Sequence, residues 1–324
     1  MAHDSPLRFC LMPPTLPIHP DLDTLRAGGK RAIAQALAAV ETRRGQGELV
    51  ALLDAAAKAG KAHVLGLTGP PGVGKSTLTN ALVHRARAAG RTVAVLAVDP
   101  SSRRTKGALL GDRARIQTDP EDRGVFVRSM AARDRLGGLS DDAIAAVVLL
   151  RAVYDLVIVE TVGVGQSEAD ISLVADTVVL CIQPASGDSL QFMKAGVMEL
   201  PDIIVVTKAD MVEVSRRAAS EVAGALSLSG GGEGWRVPVI RLSAASGEGL
   251  DAFDLEVDAH RAFLAAEGRR DALRAAQEAK WVEEAIKVRF GTYGLARARG
   301  LATTAATPFA REAELAARLT SDQG

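Results

Sequence analysis

A glycine-rich turn between an apolar run and a helical segment constrains this fold more than any other feature. The stretch VLGLTGPPGVGKST contains Gly69 to Ser76, which fits the pattern G-x-x-x-x-G-K-[ST]. That pattern requires a preceding strand and a following helix, because the backbone must curl until several N–H groups face one anion. Gly72 and Gly74 permit the curl, and the helix that begins near Lys75 adds its positive end. The segment predicts a binding loop for the phosphates of a nucleoside triphosphate.

Three side chains at the end of this loop have separate predicted contacts. Lys75 would bring positive charge to the β- and γ-phosphates, the Ser76 hydroxyl would bind Mg²⁺, and Thr77 would reach the α-phosphate. The other expected nucleotide contacts come from the rest of the loop, at Gly69, Pro70, Pro71, Gly72, Val73 and Gly74.

Seven short apolar runs alternate with helical segments between residues 61 and 265. They read AHVLGLTG, TVAVLAVDP, GVFVRSM, YDLVIVET, DTVVLCIQP, DIIVVTKAD and VPVIRLSA. Runs rich in Val, Ile and Leu without polar alternation are typical of strands that are covered on both faces. The repetition of strand and helix predicts an α/β P-loop NTPase domain with a parallel, doubly wound sheet.

Helical periodicity flanks this domain on both sides. Residues 1–60 are expected to hold a leader and a helical extension, with apolar positions on one face at Leu25, Ile33, Leu37 and Val40. Residues 266–324 are expected to form a helical segment with a second set of apolar positions, at Leu273, Trp281, Ala285 and Val288. Periodicity alone leaves open whether this C-terminal segment binds a second copy or folds back on its own domain.

Composition and charge exclude several classes of function. Lys plus Arg equals Asp plus Glu at 39 each, so the overall charge gives no reason to expect nucleic acid, a membrane surface or an acidic partner. Cys10 and Cys181 have no neighbour at metal-ligand spacing and the five histidines are scattered, which argues against a zinc or redox site. No apolar run reaches about 18 residues and the N-terminus lacks a signal-peptide pattern, so we predict a cytoplasmic protein.

Two later strand ends predict which base is bound. In VVTKAD the Asp210 carboxylate can accept two N–H groups from the Watson–Crick edge of guanine, and adenine offers no such pair. The stem of Lys208 can lie over the ring, and Thr207 stands where asparagine is usual. In LSAASG, the turn Ser243–Ala245 would place the Ala244 N–H on guanine O6 and Ala245 beside it. These residues predict GTP and GDP as ligands.

Acidic residues at neighbouring strand ends predict a magnesium site. In VIVETVG, Glu160 would face Mg²⁺ through water and the Gly163 N–H would meet the γ-phosphate. Asp99 in VLAVDP and Asp112 in the following loop would join Ser76 in a set of oxygen ligands, which Mg²⁺ prefers. Each of these carboxylates could instead be a solvated residue of a strand end or loop.

The motifs together resemble the methylmalonyl-CoA mutase-associated GTPases of the MeaB type, within the dimer-forming SIMIBI class. The resemblance covers about residues 25–290 and depends on TGPPGVGKST, AVDPSS, LLGDRARI, LGGLSDDA, VIVETVGVGQSEADI, SGDSLQFMKAGVMEL and VTKAD. It implies a GTPase cycle that gates cofactor loading of an adenosylcobalamin-dependent mutase and protects or reactivates it. It also implies a homodimer with a C-terminal dimerisation arm, and a partner-coupled switch at Ser186, Gly187, Asp188, Gln191 and Lys194.

The expected catalytic residues are Lys75, Glu160 and Gly163. Val164 stands where many GTPases place a water-orienting glutamine, which predicts slow hydrolysis without a partner. Departures from the family pattern in the switch segments leave the client open, so another acyl-CoA mutase is an alternative. The chain lacks the D-x-H-x-x-G pattern of cobalamin-binding proteins.

Two other functions use the same loop. A P-loop kinase that phosphorylates a metabolite or a periplasmic-transport component would need a substrate base and a closing lid. The TKAD motif and the turn at Gly163, which would sense whether the γ-phosphate is present, instead favour a switch. A nickel-insertion GTPase would need His or Cys clusters, which this sequence lacks.

Overall fold

A computed structural model describes residues 21–43, 45–99, 118–119, 121–131, 139–161, 170–184, 201–228 and 234–321. The strands are β1 His63–Thr68, β2 Val93–Asp99, β3 Val125–Ala131, β4 Leu156–Thr161, β5 Thr177–Ile182, β6 Ile203–Val206 and β7 Val239–Arg241. They form one sheet in the order β3-β2-β4-β1-β5-β6-β7, and every neighbouring pair is parallel. The predicted doubly wound α/β fold and all seven predicted strands are confirmed.

Helices precede, connect and follow these strands. The N-terminal helices are α1 Leu22–Ala27, α2 Gly29–Thr42 and α3 Gly47–Ala59. The connecting helices are α4 Lys75–Ala88, α5 Asp141–Val153 and α6 Val212–Leu228, with a 3₁₀ turn at Ile171–Leu173, and α7 Leu250–Ala265 follows β7. After the 3₁₀ turn Ala266–Gly268 come α8 Arg269–Ala298 and α9 Pro308–Ser321. In the described part of the chain, no helix is both long and apolar enough to span a bilayer.

Both faces of the sheet are buried. Successive strand residues point to opposite faces, so Leu65 and Ile158 pack beneath α4 and α7. Val64, Val157 and Val159 pack on the other face with α2, α3, α5 and the C-terminal helices. Because each face has a helical cover, the strands need apolar residues at every position, which explains their lack of polar alternation.

The C-terminal segment folds back on its own chain. Phe309, Leu315 and Leu319 of α9 are buried in the same cluster as Leu52 of α3. The rings of Trp281 in α8 and Phe309 lie 4.7 Å apart between their centroids. The predicted helical arm is therefore present, and it shares a core with helices from the other two segments of the chain. Its role in dimerisation remains a prediction.

Fewer residues of α8 are buried than its helical periodicity predicted. Trp281 and Ala285 are buried as expected, and Ile286 is buried beside them, but Val288 is 50 % exposed. Val288 occupies a suitable angular position, yet burial also requires a neighbouring element that covers it. The backbone leaves helical geometry at Gly291, with φ of 73°, less than one turn further on. Helical spacing in the sequence does not show at which residue the neighbouring elements stop covering α8.

A buried hydrogen-bonded chain connects the amino ends of β1 and β5 to α7. The Thr177 hydroxyl lies 2.8 Å from His63 Nε2 and 2.8 Å from His260 Nδ1. Burial lowers the pKa of His63 and the pKa of His260 to about 4, so both rings are neutral at pH 7. A hydroxyl has one proton, so Thr177 donates to one ring and accepts from the other.

Candidate functional site

The predicted motifs meet at one edge of the sheet. β1 lies between β4 and β5, with β2, β3 and β4 on one side of it and β5, β6 and β7 on the other. The carboxyl end of β1 is therefore the topological switch point, where doubly wound folds bind ligands. Loop 69–74 follows β1, Glu160 lies near the end of β4, and Thr207 and Ser243 follow β6 and β7. Parallel pairing brings these ends together.

The phosphate loop packs against β5 without space for a side chain at its first residue. Gly69 has a φ of 133°, and a Cβ at this position would lie 2.1 Å from the Cys181 carbonyl oxygen. Gly74 precedes α4 with a φ of 100°, a left-handed conformation that favours glycine. The first N–H groups of α4 have no intrahelical acceptors, so they are suited to bind an anion.

The Lys75 ammonium lies inside the loop. Its Nζ donates to the carbonyl oxygens of Gly69 at 2.7 Å and Pro70 at 2.9 Å. Val73 is buried in the core beneath the sheet, so only its backbone can contact a nucleotide, whereas Thr77 is exposed on the first turn of α4. The loop therefore holds the ammonium against two of its own backbone carbonyl oxygens.

Two hydroxyls of α4 hold the Glu160 carboxylate. Ser76 Oγ donates to Glu160 Oε1 at 2.6 Å, and Thr79 Oγ1 donates to Glu160 Oε2 at 3.0 Å. Ser76 and Glu160 were both predicted as magnesium ligands, and the fold brings them into direct contact. A hydroxyl and a carboxylate are hard oxygen donors that suit Mg²⁺.

The second residue of the base motif has a left-handed backbone conformation. Lys208 has a φ of 55°, which is uncommon for a residue with a side chain, and its Nζ donates to Gln183 Oε1 at 3.0 Å. The Thr207 hydroxyl and N–H donate to the Ile182 carbonyl at 3.0 Å and 2.8 Å. Asp210 is exposed to solvent. The motif is thus attached to the end of β5, the strand that the phosphate loop also contacts.

The turn after β7 lies beside the base motif. The Ala209 N–H donates to the Leu242 carbonyl at 3.2 Å, which joins the two segments. Ser243 is buried, Ala244 is half-buried and Ala245 is exposed. The two segments that were predicted to contact the base are therefore adjacent at this edge of the sheet.

Several predicted residues lie outside the part of the chain that the structure describes. Asp99 ends β2 beside the end of β4, but its side chain is not among those described. The remaining members are Gly163, Asp112, Ser186, Gly187, Asp188, Gln191 and Lys194. Among the described side chains, no group of three or more His, Cys, Asp or Glu residues is arranged to hold a metal. Ser76 and Glu160 are the predicted ligands that can be placed.

Sequence reasoning missed two residues at this edge. Thr79 lies three residues after Ser76 on α4, and that spacing places the two on the same helix face. The spacing could have indicated Thr79, whereas Gln183 carries no motif and is brought to Lys208 only by the pairing of β5 and β6.

Comparisons with known proteins agree with this geometry. Residues 33–292 match the family model described as methylmalonyl Co-A mutase-associated GTPase MeaB. A Pyrococcus horikoshii protein that is named as a GTPase is 42 % identical over 275 residues, covering 84 % of this chain and 85 % of that protein. The mitochondrial methylmalonic aciduria type A homolog of Mus musculus is 39 % identical over 228 residues, covering 69 % of this chain and 55 % of that protein.

A solved structure supports the same architecture. The crystal structure of an LAO/AO transport system kinase aligns with a TM-score of 0.67 and 28 % sequence identity. The alignment covers 93 % of this chain and 97 % of that chain, so it includes the helical segments on both sides of the sheet.

Proposed function

The chain belongs to the MeaB family of methylmalonyl-CoA mutase-associated GTPases, and on that premise we propose that it is a Mg²⁺-dependent GTP hydrolase serving an adenosylcobalamin-dependent acyl-CoA mutase. In this proposal GTP and GDP are its nucleotides, and its cycle gates cofactor loading and protects or reactivates the mutase.

The observation that carries the hydrolase proposal is the contact between the start of α4 and the end of β4. The Ser76 hydroxyl and the Glu160 carboxylate lie 2.6 Å apart, directly after a loop that encloses the Lys75 ammonium. A triphosphate in the loop would therefore have its terminal phosphates beside both a cation and a pair of oxygen donors. That combination fits phosphoryl transfer to water.

Each group would contribute through position and charge. Loop N–H groups and Lys75 would bind the β- and γ-phosphates, and Ser76 and Glu160 would hold Mg²⁺, with Asp99 and Asp112 as further candidates. When bound, Mg²⁺ supplies positive charge to the phosphate oxygens. Gly163 would donate its N–H to the γ-phosphate. Since Val164 replaces the usual glutamine, hydrolysis by the isolated protein is expected to be slow, about 10⁻⁴ to 10⁻² s⁻¹.

The base motif supports guanine as the nucleotide base. Asp210 and Lys208 lie at the same sheet edge as the phosphate loop, and the turn at Ala244 is attached beside them. We expect Asp210 to accept from the guanine N–H groups and Ala244 to donate to O6.

The partner proposal depends on the family. Its members are described as mutase-associated, and one similar protein is named for methylmalonic aciduria. Methylmalonyl-CoA mutase is the first candidate client, contacted through the segment that contains Ser186, Gly187, Asp188, Gln191 and Lys194. We also propose a homodimer in the cytoplasm, for which the exposed α8 residues Val288 and Tyr293 are candidate contacts.

Three measurements test these proposals. Phosphate release from GTP by the purified protein should require Mg²⁺ and should disappear in Lys75→Ala, and unchanged turnover in that variant would defeat the site assignment. Co-purification with acyl-CoA mutases should depend on whether GDP or a non-hydrolysable GTP analogue is present. A complex that forms equally well with either nucleotide would contradict the proposal that the protein is a nucleotide-dependent switch. Sedimentation at micromolar concentration would show whether the protein is a dimer.

A kinase remains the second candidate, because the solved relative is named a transport system kinase. Labelled γ-phosphate separates the two functions. Transfer to water supports the hydrolase, and transfer to a metabolite or a transport protein supports the kinase.

A further inference from the structure

Thr79 occupies a buried position against the acidic end of β4. It lies on α4 and is 0 % exposed, and its Oγ1 donates to Glu160 Oε2 at 3.0 Å. Ser76 donates to the other oxygen of the same carboxylate at 2.6 Å. The two hydroxyls are 81 and 84 residues from Glu160 along the chain. No motif in the sequence assigns Thr79 a role.

The second hydrogen bond has a physical consequence because the acid is glutamate. The terminal torsion of a glutamate side chain has a broad, nearly two-fold energy profile, so one contact leaves the carboxylate plane free to turn. Donors to both oxygens fix that plane. Glutamate also has one more rotatable bond than aspartate, so more freedom must be removed to hold its oxygen beside Ser76.

We propose that Thr79 is a positioning residue that orients the Glu160 carboxylate for the magnesium-dependent step. The inference rests on the proposed function, since it assigns Glu160 to the Mg²⁺ site. Thr79 itself touches neither the nucleotide nor the metal in this proposal and acts through Glu160 alone.

Thr79→Val tests this proposal with little change in shape. Valine replaces the hydroxyl with a methyl group of similar size, so Glu160 Oε2 loses a donor at a partly buried contact. A hydrogen bond to a charged group is among the stronger ones in proteins, so the loss should be measurable. We expect the Mg²⁺ concentration for half-maximal GTP hydrolysis to rise about ten-fold and kcat to fall by a similar factor.

A binding measurement separates positioning from general damage. Titration with a fluorescent GDP analogue in EDTA should give the same affinity for wild type and Thr79→Val, because the loop backbone and Lys75 are unchanged. The gain in affinity for a fluorescent non-hydrolysable GTP analogue on adding Mg²⁺ should shrink in Thr79→Val. Thr79→Ser keeps the hydroxyl and should restore both the Mg²⁺ response and kcat to within about three-fold of wild type.

Thr161→Val is the matched control. Thr161 follows Glu160 in β4, and its buried hydroxyl donates to the Thr68 hydroxyl at 3.3 Å rather than to the carboxylate. The Thr161→Val substitution should leave the Mg²⁺ concentration for half-maximal GTP hydrolysis within about three-fold of wild type. An equal loss in Thr161→Val, or an unaltered Mg²⁺ response in Thr79→Val, would overturn the proposal. If wild type itself fails to bind or hydrolyse GTP, the proposed function fails instead, so the two failures are distinguishable.

Discussion

The Arg274 guanidinium donates hydrogen bonds to both carboxylate oxygens of Asp176, with Nε 2.8 Å from Oδ1 and one terminal nitrogen 2.8 Å from Oδ2. The same guanidinium donates to the carbonyl oxygens of Gly60 and Ala62 at 2.8 Å. One side chain of α8 thus joins the amino ends of β1 and β5 to the end of α3. Burial raises the pKa of the Asp176 carboxyl, but its hydrogen bonds and the charge of Arg274 outweigh burial and lower the pKa.

Replacing Arg274 with leucine should therefore destabilise the whole fold. The change leaves a carboxylate that is almost fully buried without its cation, which costs about 3–5 kcal/mol of unfolding free energy. Urea denaturation followed by circular dichroism measures this cost. Arg217→Leu is the control, since its pair with Glu221 is exposed and should cost about 0.5 kcal/mol or less. A loss of similar size in both variants would show that the Arg274 contacts carry no special weight.

Acid should destabilise the protein through the two buried histidines. Their pKa values in the folded state are about 4, below the ordinary value of 6.5, so the unfolded chain binds protons first as pH falls. Their stabilising contribution is complete above pH 6.5 and is lost as pH falls toward 4. Each pKa unit corresponds to about 1.4 kcal/mol, so the two together can remove a few kcal/mol.

Asp202 offsets part of this loss. Burial raises its pKa to about 6, so the folded state binds this proton first and gains stability as pH falls below that value. Unfolding free energies measured between pH 4 and 8 should still decrease toward acid, since two histidines oppose one carboxyl. His260→Gln removes one of the two and should flatten the curve. An unchanged slope in that variant would contradict the assignment.

Asp210→Asn should weaken discrimination between guanine and adenine nucleotides. The amide presents a donor where the carboxylate accepts from guanine, so GTP affinity should fall by at least about 100-fold. Competition titrations with GTP and ATP measure the ratio. Glu213→Gln removes a nearby exposed charge at the start of α6 and should leave the ratio unchanged. If Asp210→Asn also keeps its preference, another group reads the base.

Alanine at two glycines of the phosphate loop should have unequal effects on stability. At Gly69 the new Cβ would lie 2.1 Å from the Cys181 carbonyl, so the loop or β5 must move. At Gly72 a Cβ meets nothing within 4 Å, and the cost is the left-handed backbone alone, about 1–2 kcal/mol. Thermal unfolding of the two purified variants without nucleotide should show the larger loss for Gly69→Ala. Equal melting temperatures would contradict the close approach.

The features that could be predicted from the sequence depend on residues that lie close together along the chain. The glycines near Lys75 require a tight anion-binding turn, and the uninterrupted apolar runs require a sheet covered on both faces. Parallel strands then bring Glu160, Asp210 and the loop to the same edge. For this reason the fold and the edge that holds the candidate site followed from the sequence.

Contacts between distant elements were decided only by tertiary packing. Thr79 meets Glu160 across 81 residues, Arg274 meets Asp176 across 98, and Thr177 lies between two histidines on different elements. Val288 has the spacing of a core residue, yet it stays half exposed because no described element covers it fully. Helical periodicity and the backbone conformation of a turn depend on a few neighbouring residues. These pairings depend instead on how the helices pack against the sheet. That arrangement minimises the free energy of the whole chain and leaves no short-range pattern to read.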